Sequence, residues 1–149
     1  MPRHVTHVPL RWADLDALGH VNNVVYLRYL QEARVDMLFV HAARHGAEKL
    51  AGGVVVSRHE IGYQAPLHFR PAPVRVETWV ADVRAASFTL GYEVLDESPS
   101  GERTVYAVAS SVLVPYDLAD GRPRRVAPTE RTVLEAFYEP DGPAPRRAA

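Results

Sequence analysis

Between Asn23 and His45 the chain carries its one long helical pattern. Tyr26, Leu30, Ala33, Met37 and Val40 recur at alternating spacings of about four and three, which puts them on one buried helix face. Gly46 is a natural stop, because glycine readily takes the left-handed conformation that ends a helix. Beyond it the chain reads mainly as strands. Val54 opens a run that continues through Tyr63, and Ala65-Pro66-Leu67 marks a bend. Val74, Val76, Thr78 and Val80 alternate with Arg75, Glu77 and Trp79, and Phe88, Leu90, Tyr92 and Val94 alternate with Thr89, Gly91 and Glu93. Such period-two runs are strands with one covered face. Thr104 to Val114 is apolar on both faces, as an internal strand should be. Residues 5–12 read as a first strand, and Pro128-Thr129-Glu130 begins a short second helix ending near Tyr138. One long helix among several long strands predicts an α+β domain, with the helix set against one face of a curved antiparallel sheet of about five strands.

At 149 residues the chain is long enough for one well-buried core, read here as a single domain over residues 1–138. The tail from 139 to 149, EPDGPAPRRAA, reads as disordered. A hydrophobic content of 47% excludes a wholly disordered chain, and a net charge of −1 shows no nucleic-acid footprint. With no cysteine there is no disulfide, no thiolate nucleophile and no zinc–thiolate site. No apolar leader and no run of membrane-spanning length is present, so the expectation is a cytoplasmic protein. Lys49 is the only lysine; the other basic side chains are arginines, which suit phosphate recognition.

Chemistry concentrates just before the long helix. Asp14 and Asp16 are followed by Gly19, His20, Asn22 and Asn23. The asparagines stand where a helix cap belongs, and a capping oxygen accepts from a free N–H of the first turn. That turn has unpaired N–H groups and a partial positive charge, able to hold an oxygen that becomes anionic during reaction. Asp16 lies within reach of it across a turn. A carboxylate beside such a helix end suits attack on an acyl carbonyl, directly or through a water. The plainer reading is that Asp, Gly and Asn are ordinary turn and cap residues. A metal held by the two aspartates is disfavoured, since no second acidic cluster supplies the further oxygen ligands.

The run Asp14-Leu15-Asp16-Ala17-Leu18-Gly19-His20-Val21-Asn22-Asn23, with Tyr26 and the Glu32-Ala33-Arg34 triplet, closely resembles the hotdog-fold acyl-CoA thioesterases. The similar subgroup contains 4-hydroxybenzoyl-CoA thioesterase and the YbgC-like enzymes, and the GHVNN string is also similar to plant acyl-ACP thioesterases. The resemblance covers about Val5 to Phe137. It implies a hotdog fold, a helix wrapped by the sheet. It also implies an acyl-CoA thioesterase in which Asp16 is nucleophile or general base and the Asn23 N–H polarises the thioester carbonyl. His20 matches an assisting histidine of the acyl-ACP branch, although Leu18 replaces the asparagine that this branch places two residues after the aspartate.

The same resemblance implies a homodimer or homotetramer with active sites at the subunit interface. The substrate would be an acyl-CoA, or an acyl carrier protein thioester, with no separate cofactor, because coenzyme A is part of the substrate. Arg58, Arg70 and Arg84 are candidates for its phosphates, Ser87 for the pantetheine arm, and Tyr26, Tyr29 and Tyr63 for the acyl pocket. Two other classes stay open: a hotdog hydratase or dehydratase, and a non-catalytic acyl-thioester binder. A purely structural or interaction domain is the third alternative.

Overall fold

The computed structural model describes residues 2–146. Strand β1 (His4–Val8) leads through a single 3-10 turn (Trp12–Asp14) to helix α1 (Val25–Arg34). The helix continues without a break through a π-helical stretch (Val35–His41) and α2 (Ala42–Arg44), and stops at Gly46 with φ 89°. A one-turn helix α3 (Lys49–Gly52) precedes the four long strands β2 (Val54–Tyr63), β3 (Val74–Val83), β4 (Phe88–Glu97) and β5 (Arg103–Asp117). The short β6 (Arg122–Pro123) pairs with the end of β5, and α4 (Pro128–Glu135) closes the domain.

The strands join antiparallel in the order β1-β3-β4-β5-β2. Their inner faces are the alternating residues expected: Val74, Val76 and Val80 of β3 and Phe88, Leu90, Tyr92 and Val94 of β4 are buried, with Ala107, Ala109 and Leu113 of β5 beside them. Tyr26, Tyr29, Leu30, Ala33 and Met37 cover this surface from the helix. The first strand is shorter than residues 5–12, because Trp12 belongs to the 3-10 turn and is 74% exposed, its ring resting edge-on against Phe69.

The helical face departs from the simple repeat in its second half. Val40 is exposed, while Leu38 and Ala42 are buried. The cause is the π-helical stretch: its bonds run from i to i+5, so each turn takes an extra residue and the buried stripe shifts along the sequence.

The outer face of the sheet is also covered. Arg3 stacks over the Trp79 ring at 4.1 Å and bonds Glu77, Glu93 and Glu139. The tail that composition reads as disordered makes contacts there as far as Arg146. The Glu139 N–H donates to the Val80 carbonyl at 2.8 Å, Gly142 passes over Trp79, and Pro145 lies beside Gly62 of β2. Residues 147–149 lie outside the described part. No helix among the described residues is long and apolar enough to cross a membrane.

Candidate active site

The turn before α1 is built by its own short-range bonds. The Gly19 N–H donates to the Asp16 carbonyl (3.1 Å) and the Asp16 N–H to the His20 carbonyl (3.1 Å), closing a tight loop that Gly19 completes at φ 82°. The Val21 N–H donates to the Leu67 carbonyl (2.8 Å), pinning the loop to the segment after β2. Asn22 is the effective cap: its Oδ1 accepts from the Val24 N–H at 2.9 Å. Among the described residues no acceptor meets the Asn23 N–H, which stands exposed at the helix entrance.

The two aspartates have different surroundings. Asp14 is 1% exposed; its carboxylate accepts from the Tyr29 hydroxyl (2.8 Å), the Arg11 N–H (2.9 Å) and the Arg28 guanidinium (2.7 Å). Burial alone would raise its pKa, but these donors outweigh burial and hold it below the ordinary carboxylate range. Asp14 therefore ties the loop to the helix. Asp16 is only half buried. Its Oδ1 accepts from the Leu18 N–H (2.9 Å), and its Oδ2 stands 3.5 Å from the Asn22 side-chain nitrogen, so one oxygen is held and the other is nearly free.

Asp16, His20, Asn23, Tyr26, Tyr63 and Gln64 line one cavity of about 450 Å³. The Tyr63 hydroxyl donates to the Asn23 carbonyl at 2.6 Å, fixing the end of β2 to the start of the helix, and its ring meets Tyr26 edge-on at 5.2 Å. Burial, then the neighbouring Tyr63 and Tyr106 phenols, push the Tyr26 hydroxyl up to about 12; burial also raises Tyr63. Both phenols stay protonated at neutral pH, so neither is a base there. Leu18 lines the same cavity and is strongly exposed. Tyr29 is fully buried beneath, on Asp14.

The remaining residues singled out in the sequence are elsewhere. Arg58 pairs with Glu60, Arg84 with Asp82, and Arg70 grips Asp96 with both terminal nitrogens. Arg84 and Ser87 form the β3–β4 turn, whose Phe88 pairs with Leu113; Tyr63 pairs with Ala107, toward the opposite end of β5. Within one chain they do not reach the cavity. A second cavity of about 420 Å³ shares Tyr63 and Gln64 with the first and is lined by Pro145 and Arg146. Arg146 is a cation beside the site that no sequence pattern singles out, because only the path of the tail across the sheet brings it there. Among the described residues, no group of three or more His, Asp or Glu side chains is arranged to hold a metal.

A long helix lying across one face of a curved antiparallel sheet, with a capped loop at its N-terminus, defines the hotdog class of fold. Residues 10–137 match the thioesterase-like superfamily, and the chain belongs to that family. No curated protein matches it in sequence. Among solved structures it is similar to the PA2801 protein of Pseudomonas aeruginosa, at 30% identity and a TM-score of 0.72, over 88% of this chain and 97% of that one. It is similar to a thioesterase from Thermus thermophilus solved with coenzyme A and zinc, at 28% identity and a TM-score of 0.70, over 93% and 95% of the two chains. It also shares the fold of a mutant 4-hydroxybenzoyl CoA thioesterase bound to 4-hydroxybenzoyl CoA, at 16% identity and a TM-score of 0.74, over 90% and 99%.

Proposed function

We propose that this protein hydrolyses an acyl-CoA thioester to the free acid and coenzyme A. The observation that carries the reading is the pairing, in one cavity, of a half-buried carboxylate with a helix-entry N–H that has no acceptor among the described residues. The thioester carbonyl oxygen accepts from the Asn23 N–H, where the helix end favours developing negative charge. Asp16 takes a proton from water as the water oxygen attacks the carbonyl carbon. The C–S bond of the tetrahedral intermediate then breaks, and the thiolate leaves and is protonated. Direct attack by Asp16 would give an anhydride that water opens; both routes need the same carboxylate. In this reading His20, on the same cavity wall, assists proton transfer. Tyr26 and Tyr63 line the acyl entrance. The thioesterase solved with coenzyme A supports a CoA thioester as the substrate.

The nucleotide end of coenzyme A needs cations. In this reading Arg146, in the adjoining cavity, meets a phosphate, whereas Arg58 and Arg70 are already paired with carboxylates. A second copy would complete the site. Strand β2 lies at a sheet edge with Val55 and Val56 exposed, and an open edge of this length invites another strand. Antiparallel pairing of two such edges about their middles sets the partner's β2 start beside this Tyr63. The partner's β3–β4 turn then falls at the same end of the joined sheet as the cavity, and there Arg84 and Ser87 can take part.

The test is a panel of acyl-CoAs of graded length and polarity, followed by release of free thiol. Turnover above the rate of spontaneous hydrolysis on at least one member is expected. Binding of every member with turnover of none would refute hydrolysis and leave an acyl-thioester binder.

A further inference from the structure

Helix α1 and strand β2 run side by side in opposite directions. The Tyr63–Asn23 bond closes one end of their seam. At the other end Val54 and Val56 of β2, with Leu38 and Phe39 of the helix, line a separate cavity of about 190 Å³. The Asp16 cavity opens at the Tyr63 end of this seam and the 190 Å³ cavity at the other.

This 190 Å³ cavity has one charged wall, Arg34. Its guanidinium is half buried and donates to the Tyr92 hydroxyl at 3.3 Å; among the described residues it meets no carboxylate. Most other arginines in the protein that contact the sheet's charges are paired, including Arg3, Arg70, Arg75 and Arg103. The neighbours of Arg34 are polar as well. Tyr92 and Ser111 are both buried, and Ser111 Oγ lies 2.7 Å from His59 Nδ1. Burial, then the Arg34 charge, lower the His59 pKa, so the imidazole is neutral at pH 7 and Arg34 is the one positive charge of the group. A half-buried cation that meets no carboxylate among the described residues, set among Val35, Leu38, Val54 and Leu113, is free to pair with an anionic group of a ligand.

We propose that Arg34 reads the far end of the acyl group, and that the preferred substrates are thioesters whose acyl chain ends in a carboxylate. This rests on the thioesterase reading for its starting point, the carbonyl held at Asn23. Asn23 and Arg34 are separated by roughly 16 Å of helix at about 1.5 Å per residue. Helical side chains lean toward the N-terminus, so the guanidinium meets a group roughly 10 Å from the carbonyl, within reach of a medium-length chain lying along the seam. A planar guanidinium holds a carboxylate by two parallel bonds, with the buried Tyr92 hydroxyl behind it.

The experiment uses pairs of non-hydrolysable CoA thioethers of equal chain length, one ending in a carboxylate and one in a methyl group. Calorimetry measures each against the wild type, Arg34→Leu and Arg34→Lys, with hydrolysis of the parent thioesters run alongside. The wild type is expected to bind the carboxylate member at least tenfold more tightly at the matching length. Arg34→Leu should reverse that ratio and Arg34→Lys should keep part of it. A wild type that prefers the methyl member, or binds neither, overturns the proposal without recourse to any variant. So does an Arg34→Leu protein that keeps the ratio but loses its self-association, which would make Arg34 a subunit contact. Selective binding without turnover would sustain this inference while refuting hydrolysis; turnover without selectivity would do the reverse.

Discussion

Removing the Asp14 carboxylate should destabilise the fold far more than removing that of Asp16, two residues away. Asp14 is 1% exposed and receives the Tyr29 hydroxyl at 2.8 Å, the Arg28 guanidinium at 2.7 Å and the Arg11 N–H at 2.9 Å. Asp14→Ala leaves a fully buried phenol without its acceptor and a half-buried guanidinium without its counter-charge. A hydrogen bond to a charged group contributes about 1.5–3 kcal/mol, and breaking a buried ion pair by deleting one partner costs about 3–5 kcal/mol. These terms overlap, so the expected loss is about 3–4 kcal/mol. With a urea m-value of about 2 kcal/mol/M for a domain of this size, the midpoint should fall by about 1.5–2 M. Tyr29→Phe removes one of the carboxylate's bonds and should lose about 1–2 kcal/mol. Asp16→Asn, on a half-exposed turn, should shift the midpoint by less than about 0.3 M, since surface changes stay within about 0.5 kcal/mol. The assay is equilibrium urea unfolding followed by far-UV circular dichroism. An Asp14→Ala midpoint within about 0.3 M of wild type, by the same measure, would refute the assignment of Asp14 as the tie between loop and helix.

Three further outcomes are expected. A Cβ at Gly91 would fall inside the Trp79 ring, which Arg3 and Gly142 hold from the other side, so Gly91→Ala should lower stability by about 1–3 kcal/mol in the same unfolding assay. Stability should fall with acid in two stages. His4 and His41 have lowered pKa values, chiefly from burial, so their contribution is complete above the unfolded value of 6.5 and is lost as pH drops through the folded values; Asp14 and Asp96, held low against an ordinary 3.8, add a second loss below that value, readable as urea midpoint against pH. Arg146→Ala should raise KM for an acyl-CoA about tenfold with kcat unchanged, the size of one charge-assisted contact to a phosphate, and should leave an acyl-pantetheine substrate unaffected.

Much of the fold was legible because its signals are local. Each of β3 and β4 alternates in the sequence, and those alternations are the buried and outer faces of the sheet. Residues Asp16 to Asn23 are close in sequence, so their meeting at one helix end follows from a single turn. The π-helical stretch was not legible, since nothing in Val35–His41 distinguishes it from an α-helix until packing selects Leu38 and Ala42 over Val40. The structural role of Asp14 was not legible; it depends on the arrival of Tyr29 and Arg28 from the helix. The pairs Arg58–Glu60 and Arg84–Asp82 were readable, because residues two apart share one face of an extended chain. The Arg70–Asp96 pair and the approach of Arg146 depend on contacts between distant segments, which no local pattern encodes.

The most direct test of the central claim is acyl-CoA hydrolysis by Asp16→Asn beside the wild type, with unfolding midpoints measured on the same samples. The expected result is a folded variant with wild-type stability and kcat reduced by at least about 100-fold, the size expected for a lost base or nucleophile. A folded Asp16→Asn protein that hydrolyses the same substrates at the wild-type rate would contradict it.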